Sequence, residues 1–167
     1  LAVIDALTGL HNRRYLDGHL ANAIERALTR STDLALLILD IDFFKKINDS
    51  HGHDAGDAVL REFSQRVARN LRSVDLACRY GGEEFVIIMP ETDRQLALLV
   101  AERLRSKIAD EPFAIQGGAR FIDVTVSIGL ACLESPADNA ATLLKRADDA
   151  LYRAKAQGRN RVVPTAA

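Results

Sequence analysis

Gly81-Gly82-Glu83-Glu84-Phe85 stands between two apolar segments, Asp75-Leu-Ala-Cys-Arg-Tyr80 before it and Phe85-Val-Ile-Ile-Met89 after it. Two extended runs joined by Gly-Gly predict a tight β-hairpin, because the primed two-residue turns that match strand twist need φ > 0. Two carboxylates follow the turn at once. A tip without side chains beside paired acids suits a place where a phosphorylated ligand approaches the backbone and a hard cation is held. The same residues also fit an ordinary hairpin with solvated acids, so the motif needs its context.

Upstream, Leu34-Ala-Leu-Leu-Ile-Leu39 is apolar on both faces and predicts a central strand covered by helices. It runs straight into Asp40-Ile41-Asp42. Helices are predicted from Arg13, capped by Asn12, with Tyr15, Leu16, Leu20, Ile24 and Leu28 as the stripe, and after Gly56 with Val59, Leu60, Phe63, Val67 and Leu71 on one face. A helix from about Asp93 to Ala109 should turn Leu96, Leu99, Val100, Leu104 and Ile108 inward. Gly117-Gly118 predicts another hairpin, between Phe113–Ile115 and a strand Arg120–Ser127 with Phe121, Val124 and Val126 packing. Ile128 to Leu133 continues extended or irregular. The last helix spans roughly Asn139 to Ala156, stopped by Gly158, and Arg161–Val163 fits an edge strand. Helices around a mainly antiparallel sheet make the class α+β.

The chain has 167 residues, the size of one domain, with 48% hydrophobic and 27% charged residues. Its first residue is Leu1, which reads as a piece of a longer chain. No apolar run approaches the ~20 residues needed to span a bilayer. The net charge of −1 lacks the basic excess that gripping a nucleic-acid polymer requires. Cys78 and Cys132 form no C-x-x-C pair and read as small buried thiols, which fits a cytoplasmic location. His51 and His53 have no third and fourth ligand near them, which disfavours zinc.

Asp40 closes a strand expected to be buried, and a buried ionised carboxylate is costly without a partner or metal. On an extended chain Asp40 and Asp42 share a face. Asp42 fits equally a cap for a helix starting near Phe43. If the central strand lies beside Phe85–Met89, Asp40 and Glu83 converge at one end of the sheet. That donor set suits Mg²⁺ with phosphate oxygens completing its shell. Lys155 and Arg159, at the end of the last helix, are placed to meet phosphates, although cations there also simply complement the helix dipole.

Taken in order, six segments resemble the GGDEF family of diguanylate cyclases across nearly the whole chain. They are Asp5-Ala-Leu-Thr-Gly-Leu-His-Asn-Arg-Arg14, Leu39-Asp-Ile-Asp-Phe-Phe-Lys-Lys-Ile-Asn-Asp49, Gly52-His-Asp-Ala-Gly-Asp57, Arg79-Tyr-Gly-Gly-Glu-Glu-Phe85, Ser127-Ile-Gly129 and Ala147-Asp-Asp-Ala-Leu-Tyr-Arg-Ala-Lys-Ala-Gln-Gly-Arg-Asn160. Within the family, the output domains of PleD-type response regulators are especially similar. The resemblance implies a nucleotide-cyclase palm-like, ferredoxin-like fold with the GGEEF motif on a β-hairpin. It also implies a single domain, 1–167, preceded by a regulatory or dimerisation module.

The implied activity joins two GTP molecules into cyclic di-GMP, each held by one of two facing copies. By matched position, Asp40, the Ile41 carbonyl, Glu83 and Glu84 would hold Mg²⁺ (Mn²⁺ the alternative) and serve catalysis. Asn48 and Asp57 would read the guanine edge, a pairing that rejects adenine by leaving buried groups unpaired. Phe43, Phe44 and Lys45 would meet the phosphates through backbone, Lys155 and Arg159 through side chains, and Gly81 and Gly82 would clear space for the nucleotide. Glu83 stands where the family name has Asp, which keeps the charge and ligand oxygens. The group that takes the 3′-hydroxyl proton is open between Glu83 and a metal-bound hydroxide.

Arg72-Ser-Val-Asp75 reads on its own as a helix-terminal Arg and a strand-opening Asp. Its spacing resembles the family's R-x-x-D product-inhibition site, with Arg103 as a further arginine and Arg26 as a contact from a partner domain. Guanidinium groups suit that role, gripping phosphate bidentately and stacking on guanine. Two other function classes compete: a silent module that binds GTP or cyclic di-GMP and signals by contact, and another palm-type enzyme. The complete acid and cation set argues against the first, and neutral charge with the Asn48/Asp57 pair against the second.

Overall fold

The computed structural model describes residues 2–134 and 136–166. Along the chain run β1 (His11–Asn12), α1 (Arg13–Arg30), β2 (Leu34–Ile41), α2 (Phe44–His51), α3 (His53–Arg69), β3 (Leu76–Arg79), β4 (Glu84–Pro90), α4 (Arg94–Asp110), β5 (Phe113–Ile115), β6 (Arg120–Ile122), β7 (Val126–Cys132), α5 (Ala140–Ala156) and β8 (Arg161–Pro164). Three helices start on side-chain caps that satisfy orphan amides. Asn12 accepts from the Tyr15 amide, Asp93 from the Leu96 amide, and Asn139 with Thr142 forms a reciprocal capping box.

Six strands form one mixed sheet in the order β1-β3-β4-β2-β7-β8. β2 is central, fully buried, and antiparallel to both β4 and β7, while the two edge pairings are parallel. The inner order β3-β4-β2-β7 is that of a ferredoxin-like fold, so the class is the α+β architecture the sequence predicts. Alternation along β2 sorts the helices. Leu37, Leu39 and Ile41 pack under α2, α3 and α4, whereas Leu34, Leu36 and Ile38 pack under α1 and α5. Asp40 belongs to the second face.

Three local expectations need correction. Neither Gly81 nor Gly82 has positive φ. The register pairs Arg79 with Phe85, so Tyr80–Glu84 turn the chain, closed by the Tyr80 and Gly81 amides on the Glu84 carbonyl at 2.7 and 3.1 Å. The loop is longer than a two-residue turn and needs no left-handed residue.

The strand expected over Arg120–Ser127 is two strands in two sheets. β6 pairs with β5 alone, and β7 begins at Val126 and joins the main sheet. Phe121 is therefore 62% exposed instead of packed, while Val124 and Val126 are buried. On α4, Leu96 and Leu99 face outward, and Ala97, Ala101, Leu104 and Ile108 form the inner stripe. Small residues there let the helix lie close to the sheet.

Gly129 lets a helix approach the sheet closely. A Cβ there would stand 2.2 Å from the Ala147 carbonyl and 2.3 Å from the Leu151 amide, so α5 rests on β7 backbone to backbone. This fixes how far α5 carries Lys155 past the end of the sheet.

Candidate active site

Asp40 ends the buried strand at 8% exposure, and Lys155 from α5 donates to its carboxylate at 2.7 Å. The pairing register sets Glu84 directly opposite Asp40 on the same face. The Glu83 carbonyl accepts from the Ile41 amide at 3.2 Å, which stitches the loop tip to the end of β2. Burial pushes the Asp40 carboxyl above its usual range, and Lys155 offsets only part of that rise. Glu83 is raised by burial and then by the charge of Asp40. Glu84 is raised by burial, by Asp148 and by Asp40. Acids that destabilise one another around one buried end await positive charge.

Asp42 is on the same face as Asp40 but does another job. Its carboxylate accepts from the Thr125 hydroxyl at 2.7 Å, the Ser127 hydroxyl at 2.6 Å and the Asn160 amide at 3.0 Å. It caps no helix, since α2 starts from Phe43 without a side-chain cap. Asp42 instead ties β2, β7 and the segment after α5 together.

Phe43 takes a left-handed conformation, φ 56°, and is 60% exposed. A bulky residue held there is strained, and such strain clusters at ligand clamps. The Arg159 guanidinium, itself on a left-handed residue, stacks over the Phe43 ring at 4.7 Å. Lys45 is exposed and pairs with Asp49 at 2.9 Å.

Behind this loop Phe44 is buried and the Asn48 side-chain carbonyl oxygen is buried without a partner. It sits against Gly56, where a Cβ would fall 1.8 Å from it, and Asp57 follows Gly56 in α3. An orphaned buried acceptor is costly unless a ligand donates to it.

The loop tip is held from below. Arg79 donates to the Gly82 carbonyl from Nε at 3.1 Å and Nη2 at 2.8 Å, and its Nη1 meets both Asp5 carboxylate oxygens at 3.3 Å. Burial raises Asp5, but hydrogen bonds from Thr8 and the charge of Arg79 more than offset it and leave the carboxyl below its usual range. Gly82 has nothing within 4 Å of where a Cβ would point, so its outer side is open.

The family described as “Diguanylate cyclase, GGDEF domain” matches residues 2–161. The chain belongs to the GGDEF family. It is 53% identical over its whole length to the response regulator PleD of Caulobacter vibrioides, of which it spans 37%. The GGDEF domain of DgcB from Caulobacter crescentus, solved in complex with c-di-GMP, superposes with a TM-score of 0.94 at 35% identity, covering 98% of this chain and 96% of that one. A structure described as the active GGEEF domain of a diguanylate cyclase from Vibrio cholerae has a TM-score of 0.86 at 33% identity, covering 93% and 97%. The two solved domains confirm the fold class.

Within this GGDEF domain the acids and cations of one group, Asp40, Glu83, Glu84, Lys155 and Arg159, meet at one end of the sheet. The Arg72 group lies elsewhere. Arg72 grips Asp75 through Nε and Nη2 at 3.2 and 2.8 Å and also donates to Pro90 and Thr92. Arg103 donates to the Asn70 carbonyl at 2.8 Å, just before Arg72 in the chain. Arg26 lines a hollow with Val74, Pro90 and Glu91.

Two features escaped the sequence reading. The triple hold on Asp42 joins residues 83 to 118 positions away in sequence, so no local pattern announces it. Asp148, which acts on Glu84, stands seven residues before Lys155, the spacing of one helix face, and that signal was available.

Proposed function

We propose that this domain is a diguanylate cyclase that condenses two GTP into cyclic di-GMP and two pyrophosphates, one GTP in each of two facing copies. The observation that carries the reading is the buried Asp40 at the end of β2, met by Lys155 and faced by Glu83 and Glu84. In each half-reaction a 3′-oxygen attacks the facing α-phosphorus. The bond to the bridging oxygen of pyrophosphate breaks, and the 3′-proton passes to a base, for which Glu83 stands at the loop tip.

Among the described residues no three His, Cys, Asp or Glu side chains are placed to enclose an ion by themselves. Mg²⁺ does not ask for that, since it takes one or two carboxylates plus substrate phosphates. The donor set fits: Asp40 and Glu83 with the Ile41 carbonyl are hard oxygens, and their mutual repulsion favours a divalent cation, Mg²⁺ or Mn²⁺. Bound there, it polarises the phosphoryl group and orients the attacking and leaving oxygens. Lys155 and Arg159 neutralise phosphate charge, and the backbone of Phe43–Lys45 holds the chain of phosphates between them. The orphaned Asn48 oxygen and the Asp57 carboxylate are acceptors for the donor edge of guanine, where adenine would leave them unpaired.

The test is chromatography of products after incubation of the purified domain with GTP and Mg²⁺. Cyclic di-GMP is expected, and its formation is lost in Glu83→Ala while GTP binding remains. GTP bound tightly with no turnover, even in a forced dimer, would overturn the reading in favour of a silent binding module.

A further inference from the structure

The nucleotide track described above uses α5 only at its end, at Lys155. Lys145, Asp148, Tyr152 and Lys155 follow one another at steps of three and four, so they line one side of the helix. Lys155 closes that line on Asp40, and Tyr152 stands 73% exposed beside it. Between this side and the sheet lies a hollow of about 520 Å³, bordered by Ile38, Tyr80, Glu84, Leu144, Lys145 and Asp148.

The two faces of the sheet divide the work. The proposed base pocket, at Asn48 and Asp57, lies among α2 and α3, while the hollow lies under α5 on the opposite face. Of the acids and cations at the sheet end only Glu84 borders the hollow, and Asn48, Asp57, Lys155 and Arg159 are not among its lining residues. The hollow is also a poor phosphate site, because the charge of Asp148 already weighs on Glu84 at its rim. Yet it opens on the side of the acids from which a second reactant must come.

We propose that this face of α5, from Lys145 to Tyr152 with the hollow beside Tyr80 and Glu84, seats a second copy of this chain in the productive encounter. The inference rests on the cyclase reading, which requires two facing copies, and adds the surface on which they meet. Lys145 and Lys155 with Asp148 between them put both signs on this side of the helix, the mixed pattern that a self-complementary two-fold contact uses. Tyr152 supplies the rigid, amphipathic aromatic that anchors such contacts. The contact surface runs without a break into the acid site, so docking and assembly of the two half-sites are one event.

Two experiments decide it. In Tyr152→Ala, cyclic di-GMP formation at low protein concentration is expected to fall about tenfold or more, with the deficit shrinking as protein concentration rises. The affinity for 3′-deoxy-GTP, which binds but lacks the nucleophile, should stay within about twofold, and Tyr152→Phe should keep most of the rate. An unchanged rate, a deficit independent of protein concentration, or a parallel loss of 3′-deoxy-GTP affinity overturns the proposal.

The second experiment does not depend on turnover. Tyr152→Cys, treated with bismaleimides of graded length in 3′-deoxy-GTP and Mg²⁺, is expected to give covalent dimer well above the wild-type background from Cys132. Monomer at every reagent length overturns the surface. A domain that crosslinks here but makes no cyclic di-GMP sinks the cyclase reading and leaves the surface standing.

Discussion

Asp42 and Glu84 show how neighbouring carboxylates divide between holding the fold and serving the site. Asp42 accepts from three donors, Thr125 and Asn160 on one oxygen and Ser127 on the other, and ties three segments of the fold together. Glu84 faces Asp40 across the strand pair and has Asp148 above it. Its carboxyl is raised by burial first and by those two charges next, so the folded chain holds the Glu84 proton more tightly than the unfolded chain does. Its contribution to stability is therefore fullest below the ordinary glutamate range and falls as pH rises through the raised value. At neutral pH the ionised side chain works against folding. Glu84→Gln should raise the melting temperature near pH 7 without divalent cation, by a few degrees, since about 1 kcal/mol moves a chain of this size by ~2–4 °C. The gain should vanish near pH 4, where wild-type Glu84 is protonated, and calorimetry across that range reads it. A melting temperature that drops at pH 7 would show that Glu84 is paired by a donor in the folded state.

At the scale of elements, two glycines hold pieces of the site in register and give opposite outcomes when filled. In Gly129→Ala the new methyl meets backbone of α5 at Ala147 and Leu151, which has no rotamer to turn away. The helix must lift, and overpacking of this kind costs about 1–3 kcal/mol or more. Urea denaturation should show that loss, together with weaker nucleotide binding as Lys155 withdraws from Asp40. In Gly56→Ala the methyl meets the end of the Asn48 side chain, which can swing aside. Helix propensity favours the substitution by about 1 kcal/mol, so stability should hold while GTP affinity falls and preference over ATP narrows. Unchanged guanine preference would remove Asn48 from the base pocket.

The elements themselves were largely legible. Caps at Asn12, Asp93 and Asn139, the unbroken apolar run of β2, and acids where a strand should end all act locally and leave local signals. The breaks in legibility have physical causes. Residues 120–127 read as one strand because alternation does not say which sheet a strand joins, and β6 left with β5. Leu96 and Leu99 read as core because the first half of the α4 stripe is Ala97 and Ala101, whose burial weighs little in a hydrophobic pattern. The loop at Gly81-Gly82 was found for its glycines, but what fixes it is Arg79 on the Gly82 carbonyl and Asp5 behind it, a contact across 74 positions.

For the whole molecule, we propose a feedback route that does not pass through the acid site. The strand β3 runs from Leu76, next to Asp75, to Arg79, so one short element joins the Arg72–Asp75 grip to the loop that carries Glu83. We infer that cyclic di-GMP, bound at Arg72, Asp75 and Arg103 with Arg26 contributed by a facing copy, holds two domains in an arrangement in which the acids do not meet. The Asp75 side chain is almost fully buried and spreads the Arg72 guanidinium toward the surface, while Arg72 itself is about half exposed at 46%. With Nε and Nη2 engaged by Asp75, Pro90 and Thr92, the half-exposed guanidinium has Nη1 and its flat face to offer a phosphodiester or a base. Inhibition of this kind requires that product bind the separated arrangement more tightly than the productive one, since equal affinity shifts nothing. Progress curves then separate the two sites. In wild type, turnover should bend downward as cyclic di-GMP accumulates, long before GTP is exhausted. In the Arg72→Ala/Asp75→Ala double variant the curve should stay straight, and added cyclic di-GMP should be needed at about tenfold or higher concentration to slow it. A double variant that bends as wild type does would place feedback at the acid site itself, with product competing directly against GTP.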